Sequence, residues 1–275
     1  MALKTKCEIF SKNFKWKQIK GMVDVFFNSW DNGGLNNSRF IDTSDPTYVI
    51  THGFQSTGGN SGNNFTPETW MSEMAQNIRD LEGDDANILL VDWQDGADTL
   101  NYWAAAGRVD DVGVEVADYL LGQGVNPADT TLIGHSLGAH VMGEAGEELL
   151  ERSDEVDLLI GLDPAGPEFE GGWFSSPNPT DDRLDPTDAD RVVAFHTSST
   201  LGYDDPLADL DLYINWDDLL QPGALTFVGN HGYAHTLYND LLDGFGFPQS
   251  DGTTFSLLTV NGNTTSSVFV DTFAV

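Results

Sequence analysis

Ser136 stands in Gly134-His135-Ser136-Leu137-Gly138, the spacing that a nucleophilic hydroxyl on a sharp strand-to-helix turn needs. Small glycines let two backbones pass closely where the serine is held in a strained turn. The serine oxygen then lies at a helix N-terminus, where developing negative charge is favoured. A serine hydroxyl is a poor nucleophile at neutral pH, so it requires an imidazole base that is itself oriented by a carboxylate. Asp163 ends the apolar run Leu158-Leu159-Ile160-Gly161-Leu162 and would sit at the carboxyl edge of a sheet beside Ser136. Three histidines follow it. His196 closes a β-type run, His231 lies in a Gly-Asn-His-Gly segment that reads as a loop, and His235 is one helical turn further on. The chemistry these residues can perform is acyl transfer to water.

The surrounding pattern supplies elements able to position them. Short β-rich runs at 23–27, 47–51, 86–91, 131–133, 156–162 and 192–196 alternate with helical patterns at 67–81, 108–121 and 137–150. The run at 86–91 does not alternate, which predicts a strand buried on both faces. Such alternation predicts a mostly parallel central sheet with helices on both faces. Residues 164–190 and 197–230 are long Pro-, Gly- and Asp-rich excursions, predicted as loops at the carboxyl edge. Two β-type runs about Asn261-Gly262 predict a hairpin tail from about residue 253, which could pair with the sheet edge.

Composition narrows the function classes. The 275 residues are 40% hydrophobic and 11% aromatic, enough to build a core. No apolar run is long enough to span a bilayer, so no transmembrane segment is expected. A net charge of −32 argues against nucleic acid as a partner, because phosphate backbones attract the opposite sign. The six lysines all lie in residues 1–20 with a single glutamate, so that segment is a basic arm of charge +5. Residues 21–275, read as a single domain, carry −37. So dense a negative field self-repels unless salt or divalent cations screen it, which suits a salt-rich medium or a calcium-containing extracellular one. An extracellular location is the expectation, although residues 1–20 lack the apolar stretch of a secretory signal. Neutral or zwitterionic substrates are expected over anionic lipid surfaces for the same electrostatic reason.

Further blocks stand in register with the serine motif: Thr51-His52-Gly53-Phe54, Val91-Asp92-Trp93, Gly161-Leu162-Asp163-Pro164-Ala165-Gly166-Pro167, Arg183-Leu184-Asp185-Pro186-Thr187-Asp188-Ala189, Phe195-His196-Thr197 and Asn230-His231. Together they make the chain resemble the pancreatic-lipase-like family of α/β-hydrolases, which includes triacylglycerol lipases and phospholipases that cleave the sn-1 ester. The resemblance implies an α/β-hydrolase fold, with Ser136 as nucleophile, Asp163 as orienting acid, His231 as general base and His196 as a structural residue. An oxyanion hole needs two backbone N–H groups. Leu137 follows the nucleophile and supplies one; the family places the other at Phe54. The resemblance also maps a calcium loop onto the carboxylates of Asp185 and Asp188 and the carbonyls of Thr180 and Arg183. Calcium would there be a structural ion, with no cofactor required for the chemistry.

The function implied is a carboxylic-ester hydrolase of lipase or sn-1 phospholipase type working through an acyl-enzyme, with lipid or ester substrates and transient contact with lipid surfaces. Non-catalytic lipid-binding proteins and thioesterases are the alternatives on the same fold. Two features depart from the family. With Cys7 as its one cysteine the chain can form no intrachain disulfide. Gly223 and His231 are separated by seven residues, where true lipases carry a much longer lid. Rates are therefore expected to rise smoothly as an ester is titrated through its solubility limit; a steep jump at that limit contradicts the short-lid reading.

Overall fold

Apolar runs that do not alternate become the interior strands of one sheet. The computed structural model describes residues 23–60, 62, 64–170 and 182–273; the basic arm expected at 1–20 lies outside them, as does Thr180. Nine strands form the main sheet among the described residues, in the order β11-β8-β7-β6-β5-β3-β4-β1-β2. Its parallel body is β3 (Thr47–Thr51), β4 (Asn87–Asp92), β5 (Thr130–His135), β6 (Leu158–Leu162), β7 (Arg191–His196), β8 (Leu210–Ile214) and β11 (Ser266–Val270). At the other edge β1 (Phe26–Asp31) runs antiparallel to β4, and β2 (Gly34–Leu35) antiparallel to β1. All six residues of β4 are buried, as its unbroken apolar run requires.

Helices cover both faces, and two short ones, α2 (Gln94–Ala97) and α3 (Tyr102–Ala106), follow β4. Side chains of Val49, Leu89, Leu132, Leu159 and Val192 point into one core with α4 (Val109–Gln123) and α5 (Leu137–Arg152). Their chain neighbours Ile50, Leu90, Ile133, Ile160 and Val193 point the other way, into a second core with α1 (Thr69–Glu82) and α6 (Phe227–Leu242). Successive strand residues face opposite sides, so adjacent positions divide between two cores. In α1 the buried residues Met71, Met74, Ala75 and Ile78 recur at helical spacing. The helix ends where the Arg79 guanidinium turns back to donate to the carbonyls of Gly83 (2.5 Å) and Ala86 (2.9 Å).

The structure corrects three expectations. The first strand lies at Phe26–Asp31, beyond the 23–27 run, because antiparallel pairing of Phe26 with Asp92 and Ser29 with Leu89 sets its register. Its buried polar residue Asn28 is satisfied by donating to the carbonyl of Gly59 at 2.6 Å. Secondly, the 197–230 excursion contains the fully buried strand β8. Asp211 masks it in the sequence, but the carboxylate is satisfied by hydrogen bonds from His196 Nε2 (2.9 Å) and the Leu207 N–H (3.0 Å). Thirdly, no hairpin forms about Asn261-Gly262. Instead β10 (Thr254–Phe255) pairs with β9 (Phe247–Pro248), α7 (Leu257–Val260) follows, and β11 joins β8 in parallel. Parallel addition needs the chain to cross over before pairing, which a two-residue turn does not allow.

Candidate active site

The chain runs from β3 to β4 on one side and then returns to β5 on the other side of β3. A crevice therefore opens beyond the carboxyl ends of β3 and β5, the switch point where open α/β sheets hold their ligands. Ser136 stands there, between β5 and α5, with φ 59° and ψ −124°, values costly for a residue bearing a Cβ. Two close approaches make that turn possible. A Cβ on Gly134 would lie 2.1 Å from the carbonyl oxygen of Gly138, and one on Gly53 would lie 2.7 Å from Ser136 Cβ. The Ser136 N–H donates to the Leu162 carbonyl at 3.1 Å, fixing the turn to the next strand.

Asp163, at the end of β6, has no solvent exposure and a φ of 47°. Its Oδ1 accepts from the N–H groups of Thr197 (2.6 Å) and Ser198 (3.1 Å), and its Oδ2 accepts from His231 Nδ1 at 2.5 Å. Because a carboxylate oxygen accepts, the His231 proton sits on Nδ1 and the lone pair on Nε2. Among the described residues no hydrogen bond joins the Ser136 hydroxyl to His231; bonds of this kind in ligand-free enzymes commonly close only around substrate.

His231 is not in a loop. It lies in the first turns of α6, whose N-cap Thr226 accepts from the Gly229 N–H at 3.1 Å. Gly229 and Gly232 are poor helix formers, so the local pattern misleads, and packing decides. The other histidines have different partners. His235 stacks on Trp70 (centroids 4.8 Å apart), and its buried Nδ1 has no hydrogen-bond partner. Burial, then the charge of His231, pushes its pKa down to about 4. His196 is fully buried between the Tyr203 carbonyl (2.8 Å) and Asp211.

The loop after β3 carries Phe54, and a network that the motifs alone did not disclose holds it. His52 donates from Nδ1 to the Gly53 carbonyl (2.9 Å) and accepts from the Trp93 N–H at Nε2 (3.1 Å), while Trp93 Nε1 donates to the His52 carbonyl (2.8 Å). The Asp92 carboxylate accepts from Thr57 Oγ1 (2.5 Å), the Gly58 N–H (2.7 Å) and Asn60 Nδ2 (2.9 Å). A buried aspartate followed by tryptophan at a strand end was the available signal. The Leu137 N–H opens α5 and so has no partner within the helix. Neither it nor the Phe54 N–H is engaged by backbone among the described residues. The Phe54 ring meets Tyr102 edge-on at 5.4 Å. The segment before α6 presents Leu219 and Leu225 to solvent, and the first turn of α6 presents Phe227 and Val228.

Arg183, Asp185 and Asp188 lie together below α5. Asp185 Oδ1 accepts from the Thr187 N–H (2.7 Å) and Oγ1 (2.6 Å), and Asp188 Oδ2 accepts from the Asp185 N–H (2.8 Å). Each carboxylate keeps a second oxygen, and all donors here are hard oxygens, the type calcium prefers. Among the described residues no group of three or more His, Cys, Asp or Glu side chains converges as a metal cluster, so backbone carbonyls would have to complete any such shell. Asp188 is nearly buried, and its pKa is raised to about 8 by desolvation and then by Asp185, Glu147 and Glu144.

This combination of sheet order, strained serine turn and a buried aspartate bonded to a half-buried histidine defines an α/β-hydrolase fold. The Lipase family model matches residues 27–239, and the chain belongs to that family. It is 34% identical over 196 residues to lipase member H of Oryctolagus cuniculus, covering 69% of this chain and 39% of that protein. Against lipase member H of Danio rerio the identity is 36% over 185 residues, covering 66% and 37%. A protein of Canis lupus familiaris named inactive pancreatic lipase-related protein 1 is 36% identical over 196 residues, covering 70% and 36%. The chain thus spans under two-fifths of the length of these relatives. A hydrolase structure from Thermoplasma acidophilum overlaps 64% of this chain and 70% of its own, at 18% identity and a TM-score of 0.39.

The raised pKa of Asp188 has a defined sign. The folded state holds the proton from the ordinary aspartate value near 3.8 up to about 8, where the unfolded chain has lost it, so this group costs stability increasingly as pH rises through that window. Asp188→Asn should therefore gain stability relative to the parent, in chelator, as pH rises from about 5 to 9. Urea denaturation of both proteins across that range checks it, and a pH-independent difference contradicts it.

Proposed function

We propose that this chain is a serine carboxylic-ester hydrolase acting on acyl glycerolipids, of lipase or sn-1 phospholipase type. The observation that carries this reading is the Asp163–His231 hydrogen bond of 2.5 Å, delivered to the crevice where Ser136 stands on its strained turn. In the proposed cycle Ser136 Oγ attacks the ester carbonyl carbon while its proton passes to His231 Nε2. The Leu137 and Phe54 N–H groups receive the developing oxyanion. The carbon–oxygen bond to the alcohol then breaks as His231 returns the proton to the leaving oxygen. Water, deprotonated by the same imidazole, hydrolyses the acyl-enzyme. Asp163 stays ionised throughout and holds the imidazolium.

Lipid substrates are supported by the names of the relatives and by the apolar rim. Leu219, Leu225, Phe227 and Val228 precede His231 in the chain, Leu100 and Trp103 neighbour Tyr102, whose ring meets Phe54, and all six side chains are exposed. Such a rim suits transient contact with a lipid surface. The net charge of −32 favours neutral or zwitterionic esters and an extracellular, ion-rich setting. One observation favours a second reading, a non-catalytic lipid-binding protein: one relative at 36% identity is named inactive.

Ser136→Ala should lower turnover of a p-nitrophenyl ester by about 10³-fold or more. Retention of near-parental activity would sink the ester-hydrolase reading and leave the lipid-binding one.

We also propose calcium as a structural ion held by Asp185, Asp188 and the Arg183 carbonyl, with Thr180 adding a carbonyl as the resemblance implies. A cation there would keep Asp188 ionised and remove its desolvation cost. Calcium should raise the melting temperature over chelator in the parent and less so in Asp188→Asn. Equal melting with and without calcium in the parent rules the ion out.

A further inference from the structure

We propose that His135, the residue before the nucleophile, is a positioning residue for the base: by donating from Nε2 to the main-chain carbonyl of His231 it sets where α6 presents its imidazole to Ser136. The inference rests on the ester-hydrolase reading and deepens it. His135 Nε2 lies 3.0 Å from the His231 carbonyl oxygen. A carbonyl has two lone pairs, so it accepts this bond in addition to any bond from its own helix. Among the described residues this is the one hydrogen bond between β5, which delivers the serine, and α6, which delivers the base. The other side-chain ties of α6 run elsewhere. Asn230 bonds the Leu219 carbonyl and Gln221 N–H, Tyr233 bonds Thr272, and Asn239 exchanges bonds with Trp70 and Asn77.

The ring is built to stay put and to stay neutral. It packs edge-on against Trp70 (5.8 Å) and His235 (5.0 Å), and tilted against the His231 ring (4.7 Å). Burial holds its pKa well below the usual histidine value, and the charges of His231 and His235 lower it further. Since the carbonyl can only accept, the single proton of the neutral ring is on Nε2. A neutral neighbour adds no positive charge beside His231 when that ring takes the serine proton. The glycines flanking His231 give α6 little intrinsic stiffness here, so an external donor has something to fix. Displacements of about 1 Å in a reacting geometry cost about 10²-fold in rate, which makes one such tether consequential.

The test compares His135→Leu, which keeps bulk and removes the donor, with His135→Gln, whose amide nitrogen reaches as far as Nε2. Read out kcat and KM on a soluble p-nitrophenyl ester, the melting temperature, and the low-field proton resonance of the His231–Asp163 hydrogen bond. The expected result for the leucine variant is a kcat lower by about 10- to 100-fold, KM within about twofold, and the resonance broadened or lost. The glutamine variant should recover kcat to within about threefold of the parent and keep the resonance. A leucine variant with parental kcat overturns the proposal, as do leucine and glutamine variants equally impaired or a loss confined to KM. If the leucine variant does not fold, His135→Asn, too short to reach the carbonyl, takes its place against His135→Gln with the same outcomes. Ser136→Ala separates the two levels. Activity surviving in that variant defeats the hydrolase reading, whereas its loss beside a parental His135→Leu defeats the tether alone.

Discussion

A carboxylate with no solvent exposure is tolerable only if donors reach its oxygens, and much of the crevice is arranged around that requirement at Asp163. Two main-chain N–H groups come from the segment after β7 and one ring N–H comes from α6. Satisfying one buried charge therefore brings three distant parts of the chain to one place. The sheet order helps, because β6 lies between β5 and β7, so Asp163 is flanked by the serine turn on one side and by Thr197 and Ser198 on the other. Backbone donors cannot rotate away as side chains can. The carboxylate is thus held rigidly, and the imidazole inherits its orientation from it.

Histidine is used several times in this molecule, and at His52, His135, His140 and His231 the proton location is set by a partner that can only donate or only accept. At His52 and His140 one nitrogen accepts a backbone N–H, from Trp93 and Leu184, so both rings must be neutral in the fold. Burial depresses both, His140 to about 3. His52 fixes the loop that carries Phe54. His140 joins the Ala165 carbonyl (2.8 Å) to the Leu184 N–H (3.1 Å), linking the serine helix to the loop of Asp185 and Asp188. The acidic loop and the crevice at Ser136 are thereby connected through α5. Charge on the outside and buried carboxylates beneath α5 both call for cations, a need the six arginines of residues 21–275 do not meet.

Much of this was legible in the residues. The non-alternating run of β4, the helical spacing of Met71, Met74 and Ile78, and the glycines about Ser136 each encode a local constraint, so element type and the serine turn follow from them. Asp163 could be placed at a strand end for the same reason. Other features were hidden because local chemistry pointed the wrong way. Asp211 disguised β8 until His196 and the Leu207 N–H supplied partners, and Gly229 and Gly232 disguised the helix around His231.

Residue types and short-range spacing by themselves determined which side chains could do chemistry, that the sheet would be parallel and covered, and which serine stands at the turn. Only the tertiary structure decided that His231 rather than His235 meets Asp163, that β11 closes the sheet in parallel, and that His135 bonds the backbone of His231. Those outcomes depend on pairing between segments far apart in the chain. Such pairing is selected by the free energy of satisfying buried polar groups and filling both cores at once, a sum to which no single stretch of sequence has access.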